Sequence, residues 1–300
     1  MNILIAGASG FIGKSLVSAL APSHKITVLG RNRRRLKQIF PEQRAIDFPG
    51  LATEPIENYT VVINLCGESI DKRWTVQQKE KIISSRVEPT EKLANWVLRS
   101  PTPERIRFLN ASAVGIYGLN TIQNAEDTLI KTQEHCFSQQ VVCEWELTVE
   151  KKLKNKINYT LMRFGVVLKK QQGMLKKLEL PYKLGLASIL GHGKQQISWI
   201  HIEDLVRAID FVVKNPTFSG PVNMVAPEVI TQKSLCQVLA QALDRPCLFK
   251  TPTIVVKLIF GQMGSELLLS GQEVIAKKLT KANFSFLYPT FPAAIFHEYK

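Results

Sequence analysis

The run MNILIAGASGFIGKSL, Met1 to Leu16, places glycines at 7, 10 and 13 directly after an apolar stretch and inside what reads as the first turn of a helix. Glycine costs a helix interior roughly 1 kcal/mol relative to alanine, so three within seven residues need a reason other than helix formation. A strand over Asn2–Ala6, a GxxGxxG bend and a helix over Phe11–Leu20 supply that reason. Gly7 permits the tight turn, Gly10 lets backbone approach a diphosphate, and Gly13 lets helix and strand pack closely. The free amides of the helix start then face negative charge. Ser9, Phe11 and Ile12 belong to the same expected cradle.

The strand-then-helix pattern repeats. Ile26–Leu29 reads as a second strand, reached through a turn at Pro22 and Ser23. Further apolar runs at Val61–Leu65, Ile106–Asn110 and Tyr159–Phe164 are separated by helical stretches. Such alternation predicts an α/β fold, a Rossmann-like doubly wound parallel sheet with helices on both faces. Thr75 with Gln78 forms a capping box at the start of a long helix, which Pro89 is expected to kink. Glu203–Lys214 and Thr231–Leu243 read as later helices, and Ile254–Phe260 and Glu273–Lys281 as helical runs in the tail. The expected division is a nucleotide-binding unit over 1–170, with 195–225 returning to it, and a smaller substrate-binding and C-terminal region over 171–300.

Composition narrows the partners. No stretch approaches the roughly 18 consecutive apolar residues a membrane span requires, and no signal peptide is read, so a membrane is not expected as a partner. The five cysteines are scattered without a CxxC pair, and no two of the five histidines stand three or four apart. That predicts no metal site and fits a reducing, cytoplasmic setting. A net charge of +14 would attract phosphates, yet the lysines are dispersed without interleaved aromatics, so a solvated basic surface is expected rather than nucleic-acid binding.

Several stretches share an order with a known family. VVINLCG at Val61 to Gly67, NASAVGIYG at Asn110 to Gly118 and GHGKQQISWIHIEDL at Gly191 to Leu205 resemble the extended short-chain dehydrogenase/reductases, the NAD(P)-dependent epimerases and dehydratases. KRW at Lys72 to Trp74, SSR at Ser84 to Arg86, RFGVVL at Arg163 to Leu168 and GPVNMVAP at Gly220 to Pro227 are similar to one branch. Its members are called simply epimerase family proteins, bind NADP, and end in a C-terminal domain of unknown function. The resemblance implies cofactor contacts from Leu65, Cys66, Gly67, Ala111 and Phe164. It places Arg86 where the family's helix approaches the cofactor.

Charge favours NADP(H) over NAD. NAD sites usually set an acidic side chain at the end of the second strand, to receive the ribose hydroxyl. Here that strand runs into GRNRRR, Gly30 to Arg35, where Arg31 can grip a 2′-phosphate with Asn32 and Arg33 or Arg34 assisting.

The chemistry departs from the family. The resemblance implies a serine, a tyrosine and a lysine four residues after it, but the tyrosine position falls on Ser138 and the lysine position on Val142. Ser112, or Ala113 at a one-residue shift, and Tyr117 remain the candidates for orienting a carbonyl and exchanging a proton. Glu68, Arg73, Trp74, Trp199 and His201 are the candidates for a pocket taking a small-molecule substrate. An arginine that sugar-nucleotide users carry before the late histidine is Ile197 here. The expected activity is an NADP(H)-dependent oxidoreductase or epimerase-like reaction on a small carbonyl or hydroxyl compound. The alternative is a slow or non-catalytic NADP(H)-binding regulatory module, and a homo-oligomer stays open.

Overall fold

The computed structural model describes residues 1–119 and 122–300. Seven parallel strands form the central sheet: β1 (Asn2–Ala6), β2 (Lys25–Gly30), β3 (Arg44–Asp47), β4 (Val61–Asn64), β5 (Arg107–Ala113), β6 (Asn158–Phe164) and β7 (Gly220–Met224). Their spatial order is β3-β2-β1-β4-β5-β6-β7. The order reverses between β1 and β4, and a doubly wound sheet opens a crevice at the carboxyl ends of its strands there.

Alternation along each strand divides the core. Ile3, Ile5, Val28 and Ile63 pack with Leu16, Val17 and Leu20 of α1 (Phe11–Leu20) on one face. Leu4, Ala6, Leu29 and Val62 point to the other face. There they meet Leu93, Trp96 and Val97 of α3 (Val76–Val97) and Val149 and Leu153 of α4 (Phe137–Leu153). The remaining helix on this half of the sheet's chain is α2 (Arg33–Ile39).

A second core gathers Leu168, Leu175, Trp199, Leu235, Leu239 and Phe291. It joins α5 (Gly173–Lys183), α7 (Gln232–Ala242) and α10 (Phe291–Tyr299), while α6 (Ile202–Lys214) packs with α1 in the first core. Between α7 and α10 lie α8 (Thr253–Met263), a π-helical turn at Gly264–Leu268 and the short α9 (Lys277–Lys281).

α3 runs 22 residues with Pro89 inside it. Two expectations change. Glu273–Lys281 is not one helical run, because Glu273–Val274 pairs as a short strand with Gln123–Asn124 before α9 begins. Cys236 and Cys247 are joined as a disulfide across 11 residues of sequence, while Cys66, Cys136 and Cys143 stay free thiols. Among the described residues no helix is long and apolar enough to cross a membrane, and no cluster of His, Cys, Asp and Glu could hold a metal ion.

Candidate dinucleotide site

Gly7 stands at φ +76°, in the left-handed region that glycine tolerates, and its amide donates to the Leu29 carbonyl at 3.1 Å. A Cβ on Gly13 would lie 2.5 Å from the Gly7 carbonyl oxygen and 2.7 Å from the Ala8 Cα, so only glycine lets α1 approach the bend this closely. A Cβ on Gly10 would meet only the Gly7 carbonyl at 3.3 Å and otherwise project into open space. No side chain caps the start of α1, and its first turn holds no acidic residue. The amides there are left for an anion from outside.

A cleft of about 490 Å³ opens at this bend. Gly7, Ser9, Gly10, Arg31, Leu65, Cys66, Gly67 and Glu68 line it. The floor is set by a buried amide network. The Asn64 side chain donates to Thr90 Oγ1 at 2.8 Å and to Asn110 Oδ1 at 2.7 Å, and its oxygen receives the Cys66 amide at 3.1 Å. With each group paired, the loop after β4 is held in one position. Burial pushes the Cys66 thiol up to about 12, against the pull of Arg31.

Arg31 and Arg35 both reach this cleft, both are exposed, and neither forms an ion pair among the described residues. Arg33 and Arg34, two and one residues before Arg35, do not line it. Asn32 does a different job from the one expected, since its side chain accepts the Arg35 amide at 3.0 Å and caps α2. Lys81 and Lys92 of α3 add positive charge that the sequence reading missed. The two acids at the rim do not cancel it: Glu88 is exposed, and Glu68 is bound to Lys72 at 2.6 Å, which holds its carboxyl below the usual range. Two unpaired guanidiniums beside an uncapped helix start fit a dinucleotide carrying an extra phosphate.

Other expected contacts lie outside the cleft lining. Phe11, Ile12 and Phe164 are half-buried against the core, and Ala111 is buried in β5. Arg86 lies behind Gly67, its guanidinium 5.2 Å from the Trp145 ring and donating to the Ile82 carbonyl at 2.8 Å. Burial pushes it down to about 10, partly opposed by Glu68.

The expected catalytic pair is turned inward. Ser112 donates to Glu146 Oε1 at 2.5 Å and is 2% exposed. Arg163 holds the same carboxylate through Nε at 2.8 Å and Nη2 at 2.7 Å, and its Nη1 donates to the Tyr117 hydroxyl at 3.0 Å. Tyr117 in turn donates to Asn223 Oδ1 at 2.8 Å, and burial raises its phenol. Both residues sit in one buried, paired network, with their hydroxyls engaged inside the protein. The cause is strand alternation, which points Ser112 to the opposite face of the sheet from Ala111 and Ala113.

Two expected pocket residues are buried as well. Trp199 is fully buried against Phe291, ring centroids 5.3 Å apart. His201 is also fully buried. Its Nε2 lies 2.8 Å from Glu298 Oε1, and its Nδ1 receives the Glu203 amide at 3.4 Å, so it caps α6 and anchors α10. Arg73 remains exposed on the loop after β4, while Trp74 packs edge-on against Phe137 at 4.8 Å.

Beside Phe137 stands a group the sequence did not reveal. Glu266, 6% exposed, accepts the amides of Phe137 at 3.1 Å and Ser138 at 2.8 Å, the Ser138 hydroxyl at 2.7 Å and Gln262 Nε2 at 2.7 Å. A carboxylate from the C-terminal segment thus caps α4, whose own Cys136 supplies no capping side chain. The Ser138 hydroxyl is thereby already paired.

A glycine bend, an uncapped helix start and a crevice at the sheet's switch point define a dinucleotide-binding α/β protein. The comparisons carry this further: residues 3–225 match the NAD dependent epimerase/dehydratase family and residues 251–297 a domain of unknown function, DUF1731, so the chain belongs to that epimerase family. It is 34% identical over 297 residues to the chloroplastic epimerase family protein SDR39U1 homolog of Arabidopsis thaliana, spanning 96% of this chain and 84% of that protein. It is 32% identical to epimerase family protein Mb2239 of Mycobacterium bovis, spanning 98% and 96%. The crystal structure of human epimerase family protein SDR39U1 with NADPH superposes at a TM-score of 0.89 with 28% identity, covering 99% of this chain and 98% of that one.

Proposed function

We propose that the protein binds NADP(H) and carries out a hydride-transfer or epimerase-like reaction on a small carbonyl or hydroxyl compound. The observation that carries this reading is the pairing of Arg31 and Arg35, free of carboxylate partners, with the uncapped start of α1 at one cleft. The NADPH of the human relative supports it.

In this reading the α1 amides and Gly10 hold the diphosphate, and Arg31 and Arg35 hold the 2′-phosphate. Leu65 and Gly67 bound the adenosine half. The cofactor, when bound, supplies or accepts a hydride. Arg73, Trp74 and the first turn of α4 face the substrate end, with Arg73 available to an anionic group. The region over 171–300 completes the substrate side.

A second reading, a module that holds NADP(H) without fast turnover, is favoured by a specific observation: the hydroxyls of Ser112, Tyr117 and Ser138 are all engaged by buried partners. A positioned acid or base typically contributes about 10² to 10⁴ in rate, so its absence leaves slow chemistry. Single-turnover oxidation of bound NADPH against a panel of small aldehydes and ketones separates the two. Substrate-dependent loss of the 340 nm band supports the enzyme; no loss across the panel at any pH supports the module.

A further inference from the structure

Helix α8, TIVVKLIFGQM, buries only Val256 and Met263. Ile254, Leu258 and Ile259 are 67%, 74% and 57% exposed, and Val255 lies beside them. At spacings of one, four and five residues these four share a face of the helix, so the apolar side looks outward. Gly261, at φ +60°, breaks the helix before its last turn, and Gln262 and Glu266 beyond the break tie the chain to Lys79 and α4. The segment is firmly anchored at one end and presents its apolar face at the other.

The face is wider than one helix. Phe249–Thr251 leads directly into α8 and pairs with Ser188–Leu190, which follows α5. Leu248, just ahead of that strand, and Phe249, its first residue, are 79% and 52% exposed. Leu184 and Leu186, just ahead of its partner, are 66% and 57% exposed, and Arg245 Nε donates to the Lys183 carbonyl at 2.9 Å, tying the two stretches together. A monomer surface rarely leaves so many large apolar side chains in one region without something to cover them.

Charge selects the cover. Lys250 and Lys257 are exposed on these same segments and Lys176 and Arg245 on the neighbouring stretches, while Lys183 is exposed but paired. The acids nearby are Glu179, paired with Lys183 at 2.6 Å, and Asp244. Two copies meeting through this face would bring like charges together, whereas an anionic surface with an apolar interior satisfies both components at once. We propose that the face formed by α8 and the Leu184–Leu186 and Leu248–Phe249 segments docks the protein on the surface of an anionic lipid bilayer, with the helix lying in the headgroup plane. The sequence set a membrane aside because no segment can cross one; this face needs only a surface to lie on.

The test is co-sedimentation of the full chain with vesicles of phosphatidylcholine alone and of phosphatidylcholine with phosphatidylglycerol, at low and high salt. At least a tenfold preference for the anionic vesicles, weakened by salt, is expected. The doubly substituted Ile254→Glu, Leu258→Glu protein should lose that binding, while Lys250→Ala with Lys257→Ala should weaken it several-fold. All are exposed positions, and unchanged thermal unfolding certifies the fold. Failure of the wild-type protein to bind anionic vesicles at low salt overturns the proposal. So does binding that survives the double glutamate change. A concentration-dependent dimer that this change dissolves, without vesicle binding, assigns the face to a second copy and likewise overturns it.

Discussion

The Glu266 carboxylate receives both the backbone amide and the hydroxyl of Ser138, at 2.8 and 2.7 Å, across 128 residues of sequence. It places a negative charge on the positive end of α4. Through this contact the C-terminal segment fixes the first turn of α4. Its glutamine and the Lys79 ammonium, 2.8 Å apart, add a second tie to α3.

Removing that carboxylate is predicted to free the segment. Glu266→Ala should lower stability by about 3 kcal/mol, because several charge-assisted hydrogen bonds are lost together and buried donors are left unpaired. Hydrogen exchange should rise at residues 253–268 and at the first turn of α4 more than elsewhere. Uniform exchange with an unchanged melting temperature contradicts this role.

The Glu146–Arg163 pair, with side chains 8% and 4% exposed, should behave as one unit. Breaking it with Glu146→Gln or Arg163→Met is predicted to cost about 3–5 kcal/mol, since one buried charge is left uncompensated. Ser112→Ala removes only one further bond to an already paired carboxylate, and should cost about 1 kcal/mol. Denaturant unfolding of the three variants measures the difference. A Ser112→Ala protein as unstable as Glu146→Gln would mean the serine carries more than packing and one hydrogen bond.

The α10 anchor predicts a pH dependence. Burial pushes the Glu298 carboxyl up, but hydrogen bonds from His201 and the Lys170 amide outweigh it and hold it below the usual glutamate range. A depressed folded value makes the carboxylate stabilising above its unfolded value, near about 4.3, and that contribution is lost as pH falls through the folded one. The stability gap between wild type and Glu298→Gln should therefore hold steady from pH 7 to 5.5 and shrink under acid titration. A gap that widens on acidification has the wrong sign for this contact.

Much of this architecture was legible in the residues. The GxxGxxG bend and the alternation of apolar strands with helices fix the winding and the position of the crevice, because both depend on local sequence. Arg31 was legible because it follows a strand directly. Arg35 was not: the cap that Asn32 makes turns α2 so that the guanidinium one helical turn on, not its neighbours at 33 and 34, reaches the cleft. The sequence left Ser112 and Ala113 both open because a one-residue slip along a strand exchanges its faces. His201 and Trp199 misled because their partners, Glu298 and Phe291, come from the last helix, nearly a hundred residues away. Glu266 gave no local signal at all, since a cap supplied from a distant segment leaves no spacing to read.

The central claim is that unpaired guanidiniums at the end of β2 receive the phosphate that distinguishes NADPH from NADH. Two charge-assisted hydrogen bonds of roughly 1.5–3 kcal/mol, only part of which survives solvent exposure, should favour NADPH by roughly tenfold to several hundredfold. Calorimetric titration with each nucleotide, repeated on Arg31→Ala and Arg35→Ala, tests this directly. The account predicts tighter NADPH binding that Arg31→Ala largely abolishes while NADH affinity stays put; equal affinities in the wild-type protein, or no uptake of either nucleotide, would contradict it.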